Sequence, residues 1–259
     1  IQLLVADSAL HLFMSKNNTL VNERTNLLLR FLSNEISINE YDCLIYDLID
    51  DSNLAKNFCK ENPLLFNMEY VYESNEDVLG LIYISCKNIG NRKSTGSYYT
   101  STKVVKTLIS KLPFQEQEKV LDPCCGTGNF LLQLPDHLPF DSIYGNDIDA
   151  ASVKITRLNM ALKYNVPVAN IYEHITEQDY LTDYARKGFQ YIIGNPPWGY
   201  DFSEEDKSKL RTLYKSTTGK NIESYDVFIE QAINHLADNG HLAYVLPEAI
   251  LNVKAHTDI

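Results

Sequence analysis

Apolar residues in the first third of the chain recur at helical spacing: Leu27, Leu28, Phe31 and Leu32, then Leu44, Ile45, Leu48 and Ile49. Positions three and four apart share a helix face, so this spacing predicts helices that each bury one stripe. Before Gly96 the only glycines are Gly80 and Gly90, and Asn62-Pro63 supplies a single break. Residues 1–94 therefore read as a helical region packing on the domain that begins near residue 95. Beyond Gly96 the pattern changes to short apolar runs separated by helical stretches. Residues 119–122, 142–147, 171–175, 189–194 and 241–246 read as strands. Residues 150–164 and 225–237 read as helices. The second presents Phe228, Ile229, Ala232, Ile233 and Leu236 on one face and is expected to close at the turn Asp238-Asn239-Gly240. Strands alternating with helices predict an α/β fold, a doubly wound, Rossmann-like parallel sheet over residues 95–259, with ligands bound at the carboxyl ends of its strands.

Composition narrows the picture. A chain of 259 residues that is 44% hydrophobic can bury a sizeable core. Its apolar runs fall far short of the ~20 residues that span a bilayer, and Ile1-Gln-Leu-Leu-Val carries neither a basic leader nor a cleavage site, so no membrane partner is expected. Five cysteines, at 43, 59, 86, 124 and 125, form no Cys-x-x-Cys pair, and the two neighbours could bond only through a strained ring. All five read as reduced, in a cytoplasmic protein, and no metal is expected. The net charge of -11 argues against a free-standing nucleic-acid binder, because Lys and Arg neutralising phosphates supply most non-specific affinity.

Two loops carry candidate chemistry. The first predicted strand runs into Asp122-Pro-Cys-Cys-Gly-Thr-Gly-Asn-Phe130, where Gly126 and Gly128 let the backbone turn tightly and approach a ligand at a helix start, just after Pro123. Asp147 lies 21 residues beyond Gly126, at the end of the next strand, where an acid accepts hydrogen bonds from ribose hydroxyls. Leu131 stands where a dinucleotide fingerprint has its third glycine, and Asp122 precedes the loop. A nucleoside carrying a positive charge fits that pair better than a pyrophosphate. Cys124 and Cys125 read as small packing residues, since no His or Lys is placed nearby to lower a thiol pKa.

The second loop, Asn195-Pro-Pro-Trp198, follows the fourth predicted strand and contains the only tryptophan. Two prolines fix the backbone and remove two donors, leaving the Asn195 amide and the carbonyls of Asn195 and Pro196 as acceptors of definite direction, with an aromatic plate beside them. That suits a planar substrate bearing an amino group. Its ring can stack on Trp198 while the Asn195 side-chain oxygen and the Pro196 carbonyl accept its two N–H hydrogens, which favours a tetrahedral nitrogen whose lone pair can attack.

Together these segments resemble the amino-group DNA methyltransferases of the N6-adenine class, in which the cofactor motif precedes the catalytic one. The matching residues are Gly96-Ser-Tyr-Tyr-Thr100, Asp122 to Phe130, Gly145-Asn-Asp-Ile-Asp149, Asp179-Tyr-Leu181, Asn195-Pro-Pro-Trp198 and Tyr225-Asp-Val-Phe228, over about residues 78 to 250. The resemblance implies S-adenosyl-L-methionine as cofactor. Thr100, Asp122, Pro123 and the Gly126 to Gly128 loop would hold its methionine part, and Asp147 its ribose hydroxyls. Ile148, Pro197 and Phe228 would sandwich its adenine, and Asp179 would accept from that adenine's amino group. Asn195, Pro196, Pro197 and Trp198 would receive an adenine flipped out of duplex DNA.

The resemblance also implies a longer protein in a bacterial restriction-modification system. Its members continue with further strands and a target-recognition domain that would carry the DNA contacts, alongside a restriction or specificity subunit. The sequence departs from the pattern at Ser101, where the family usually has proline. A basic run, Lys207, Lys209, Arg211, Lys215 and Lys220, follows the catalytic loop and reads equally as a phosphate-contacting segment or a solvated helix. Methyltransferases acting on protein glutamine amides share Asn-Pro-Pro-aromatic but usually with tyrosine, and lack a Tyr-Tyr-Thr lead-in. An RNA base methyltransferase and a non-catalytic, methyltransferase-like scaffold are lesser rivals to the DNA reading.

Overall fold

Along β1 (Val120–Asp122) and β2 (Ile143–Asp147), successive side chains enter two different cores. Val120 and Ile143 join one buried cluster, Leu121 and Tyr144 the other, as the two-residue period of a strand requires. A sheet buried on both faces has its strands apolar throughout, which is why they read as continuous runs. The computed structural model describes residues 1–18, 26–87, 99–217 and 222–251, so Gly90, Gly96, Ser97, Tyr98 and Lys220 lie outside the described residues.

Among the described residues the strands form one parallel sheet in the order β3-β2-β1-β4-β5, where β3 is Ile175–Glu177, β4 Phe189–Gly194 and β5 Leu236–Tyr244. The order reverses direction at β1, and the carboxyl ends of β1 and β4 lie side by side, a crevice in which such sheets bind ligands.

The helical part begins with α1 (Gln2–Lys16), α2 (Leu27–Leu32), α3 (Asp42–Tyr46), α4 (Ser52–Glu61) and α5 (Val78–Cys86). All eight apolar positions singled out between Leu27 and Ile49 are buried. The break at Asn62-Pro63 ends α4, whose last residue is Glu61. After α6 (Thr102–Ile109) and α7 (Asn129–Leu132) comes α8 (Ala150–Tyr164), which spans the expected residues. Helices α1, α3 and α5 pack directly on α8, and Leu10, Leu28 and Leu79 share a continuous core with Val120, Ile143 and Leu158.

Three expectations are corrected. Residues 171–174 are not strand: α9 (Val168–His174) occupies them, and only Ile175 begins β3. Ile171 and His174, three apart, are both buried, so a short apolar run that fits either period is settled by its tertiary packing. The helix predicted to reach 237 is α11 (Ser224–His235), and β5 starts at Leu236. Asp238-Asn239-Gly240 lies inside β5 instead, in an irregularity between the pairs Phe189–Leu236 and Tyr191–His241, with Asn239 at φ 62. Regular pairing resumes at His241. Finally, Ile233 is 56% exposed: the buried stripe of α11 runs through Tyr225, Phe228, Ile229, Ala232 and His235, and Ile233 lies beside it. No helix among the described residues is long and apolar enough to cross a membrane, and all five cysteines are free thiols.

Candidate active site

β1 ends at Asp122, a fully buried carboxylate whose Oδ1 accepts the Cys124 N–H at 3.2 Å. The chain then turns through two left-handed glycines, Gly126 at φ 54 and Gly128 at φ 91, the second heading α7. Thr156 donates its hydroxyl to the Gly126 carbonyl at 2.7 Å and would crowd any Cβ at Gly128. Leu131, in place of the third glycine, is fully buried, and the close approach has moved to its partner. A Cβ on Gly145 of β2 would lie 2.7 Å from the Leu131 side chain. The tight helix–sheet contact is therefore kept with the small residue on the strand.

Asp147 ties the two loops together. Its Oδ2 accepts the Gly126 N–H at 2.8 Å and its Oδ1 the Asp149 N–H at 2.9 Å. Burial pushes the pKa values of Asp122 and Asp147 upward, and for Asp122 the neighbouring Asp147 charge adds to the effect. Burial also raises the thiols of Cys124 and Cys125 well above their usual range, so both are neutral packing groups, although Cys124 reaches the cavity wall.

At the end of β4, Gly194 has φ 140, and a Cβ there would lie 2.5 Å from Asp122 Oδ1. Asn195 follows. Its Nδ2 donates to Thr100 Oγ1 at 2.9 Å, and the Thr100 carbonyl in turn accepts from Asn129 Nδ2 at 2.7 Å. The Pro197 carbonyl accepts the Ser224 hydroxyl, fixing the loop to α11. Three buried oxygens at these strand ends, Asp122 Oδ2, Asn195 Oδ1 and Tyr244 Oη, have no hydrogen-bond partner among the described residues. Buried polar atoms are nearly always satisfied, so these strand ends have unused hydrogen-bonding capacity, which at Asn195 opens on a cavity.

Above them opens a cavity of about 520 Å³. Pro123, Gly126, Asp147, Ile148, Asp179, Asn195, Pro197 and Phe228 line it, which brings together eight of the thirteen residues singled out from sequence. Ile148, 69% exposed, and the Phe228 ring give it apolar walls. Asp179 Oδ1 accepts the Leu181 N–H at 2.9 Å and Oδ2 the Thr182 hydroxyl at 3.0 Å. The other five do not line it: Asp122 lies beneath the loop, Gly128 heads α7, Thr100 is hydrogen-bonded to Asn195, Pro196 is buried, and Trp198 stands partly exposed to one side.

Residues that sequence reasoning passed over also form the wall. Tyr200 and Phe202, edge to face with centroids 5.0 Å apart, lie two and four residues after Trp198, and that aromatic spacing was a usable signal. Tyr83 and Lys87 arrive from α5 with no local sequence signal at all. The basic run begins in α10 (Glu204–Leu213). Lys207 is held by Glu204 at 2.9 Å and Asp201 at 3.4 Å, whereas Lys209 faces the cavity. Among the described residues no group of His, Cys, Asp and Glu is arranged to hold a metal ion.

Known proteins share sequence and fold with this chain. Over 200 residues the chain is 26% identical to the type II methyltransferase M.VspI of Vibrio sp. (strain 343), covering 76% of this chain and 48% of that protein. It is likewise 26% identical over 219 residues to the type I restriction enzyme EcoEI methylase subunit of Escherichia coli, covering 76% and 43%. The chain thus spans about half or less of the length of these curated relatives. A cryo-EM structure of a DrdV–DNA complex shares the fold at a TM-score of 0.59 and 16% identity, covering 99% of this chain and 31% of that one. Residues 74–258 match the family described as N-6 DNA Methylase, and the match takes in every loop of the site, so the chain belongs to the N-6 DNA methylase family.

Proposed function

We propose that this chain is the catalytic part of an S-adenosyl-L-methionine-dependent DNA methyltransferase acting on adenine N6, within a bacterial restriction-modification system in the cytoplasm. The observation that carries the reading is Asn195: its amide is fixed by Thr100, and its buried Oδ1 has no partner among the described residues, at the rim of a cavity lined by Asp147, Ile148, Asp179 and Phe228.

The residues present fit the cofactor. Asp122 Oδ2 is a buried acceptor with no partner among the described residues, beneath a glycine loop, and a cationic ammonium supplies what that oxygen needs. With Thr100, Pro123, Gly126 and Gly128, Asp122 would hold the methionine part. Asp147 would take the ribose hydroxyls, Ile148, Pro197 and Phe228 the adenine faces, and Asp179 the adenine amino group. When bound, the cofactor supplies an electrophilic methyl group on a sulfonium centre.

The chain's own residues would prepare the nucleophile. Asn195 Oδ1 and the Pro196 carbonyl accept the two hydrogens of the target amine, which concentrates its lone pair toward the cavity. The Pro197 carbonyl is engaged by the Ser224 hydroxyl. Trp198 offers a stacking surface for an adenine extruded from the duplex, beside the cavity whose wall includes Tyr200 and Phe202. Double-stranded DNA is the partner, delivered by a recognition domain or a specificity subunit. Such a partner supplies the positive surface that a net charge of -11 leaves wanting.

The test is Asn195→Ala in the full-length protein. Methyl transfer is expected to fall on the order of 10²–10³-fold, as on removal of one preorganised polar group in other active sites, while cofactor affinity persists. Loss of cofactor binding with the residual rate per bound complex unchanged would place Asn195 in the cofactor site instead.

A further inference from the structure

Asp77, from the helical region upstream of the sheet, is 0% exposed and accepts three hydrogen bonds. The Gly80 N–H and Asn159 Nδ2 both donate to its Oδ1 at 2.8 Å, and the Thr127 hydroxyl donates to its Oδ2 at 2.6 Å. Thr127 is the middle residue of the Gly126-Thr127-Gly128 turn. Asn159 Nδ2 also donates to the Thr127 carbonyl at 2.8 Å. One carboxylate and its amide partner therefore hold that turn at the hydroxyl and the carbonyl of its central residue.

Asp77 also caps the first turn of α5, and α5 approaches the loop as closely as backbone allows. A Cβ on Gly80 would lie 2.1 Å from Asp77 Oδ2 and 2.2 Å from Thr127 Oγ1, distances that real Cβ atoms do not tolerate. Further along, Tyr83 Oη and Lys87 Nζ each donate to Asp149 Oδ2 at 3.1 Å, and the Asp149 N–H donates to Asp147. Gly80 and Tyr83 lie in α5 and Asp77 and Lys87 cap its two ends, so one helix with its caps reaches both loops of the cavity.

We infer that α5 is a brace for the cofactor cradle, and that Asp77 is the positioning residue that fixes the Gly126–Gly128 turn through Thr127. This rests on reading the cavity as a cofactor site, and it gives residues 77–87 a task in binding as well as in folding. Preorganising the turn removes an ordering cost that binding would otherwise carry.

Two variants of the full-length protein test it: Asp77→Ala, and Thr127→Val, which keeps the shape of residue 127 and leaves the α5 cap in place. Each is measured by amide hydrogen exchange of the ligand-free protein and by calorimetric affinity for S-adenosyl-L-methionine. Exchange across residues 124–130 is expected to speed up in both variants while β1 and β4 stay protected. Affinity is expected to fall about tenfold in each, as loss of a net hydrogen bond would give, with the double variant no weaker than Asp77→Ala. Unchanged loop exchange in Thr127→Val overturns the brace, whatever happens to the melting temperature. A wild-type protein that binds no cofactor overturns the cofactor reading alone, and the exchange data still judge the brace.

Discussion

Asn195 gives its side-chain amide to Thr100 Oγ1 at 2.9 Å, and this one contact decides which way the asparagine faces. With Nδ2 engaged, Oδ1 points elsewhere, buried and with no partner among the described residues. Thr100 and Asn195 lie 95 residues apart, and the Asn129 bond to the Thr100 carbonyl adds a contact from α7. The acceptor that the proposed chemistry requires is thus oriented before any substrate arrives.

Thr100→Val removes the hydroxyl and keeps the shape. The amide of Asn195 is then free to rotate, so kcat for methyl transfer is expected to fall about tenfold or more, with Thr100→Ser restoring most of it. Steady-state kinetics with cofactor titration separates an effect on transfer from one on binding. A loss confined to cofactor affinity would assign Thr100 to the cofactor alone.

Much of this was legible in the sequence because the loops are local. Asp122, Gly126 and Gly128 sit in one short segment, Asn195 to Trp198 in another, and the apolar runs that position them are strands with correct ends to within a residue or two. What was not legible is long-range. Nothing near Asp77 in the chain says that it meets Thr127, 50 residues on, and nothing in α5 announces that Tyr83 and Lys87 reach a cavity wall. The error at residues 171–174 has the same origin, since packing chose between two periods that the residues fit equally.

The buried acids predict a pH dependence. The folded-state pKa of Asp122 is raised above its ordinary 3.8, so its contribution to stability is full below that value and is lost as pH rises through the folded value. A cationic cofactor needs the ionised form, so binding must expel the proton wherever Asp122 is still protonated. Affinity should therefore strengthen as pH increases, levelling off above the folded-state pKa. Calorimetry in two buffers of different ionisation enthalpy measures the proton released. Proton uptake, or no linkage in that range, would show that Asp122 does not face the positive charge.

The basic run divides by geometry. Lys207 is occupied by Asp201 and Glu204, while Lys209 lies on the cavity wall. In the full-length protein Lys209→Gln is expected to weaken DNA binding and reduce the salt slope by about one, as the loss of one phosphate contact would, with Lys207→Gln near neutral. DNA titrations across a salt series read both. An unchanged slope for Lys209→Gln would make α10 a solvated helix.

The most direct measurement is transfer of a labelled methyl group from S-adenosyl-L-methionine by the full-length protein to duplex DNA, unmodified or already N6-methylated, with protein acceptors in parallel. Label is expected in unmodified DNA, recovered as N6-methyladenine, with little in premethylated DNA. Label in protein and none in DNA would contradict the assignment of Asn195 and its loop to an adenine amine.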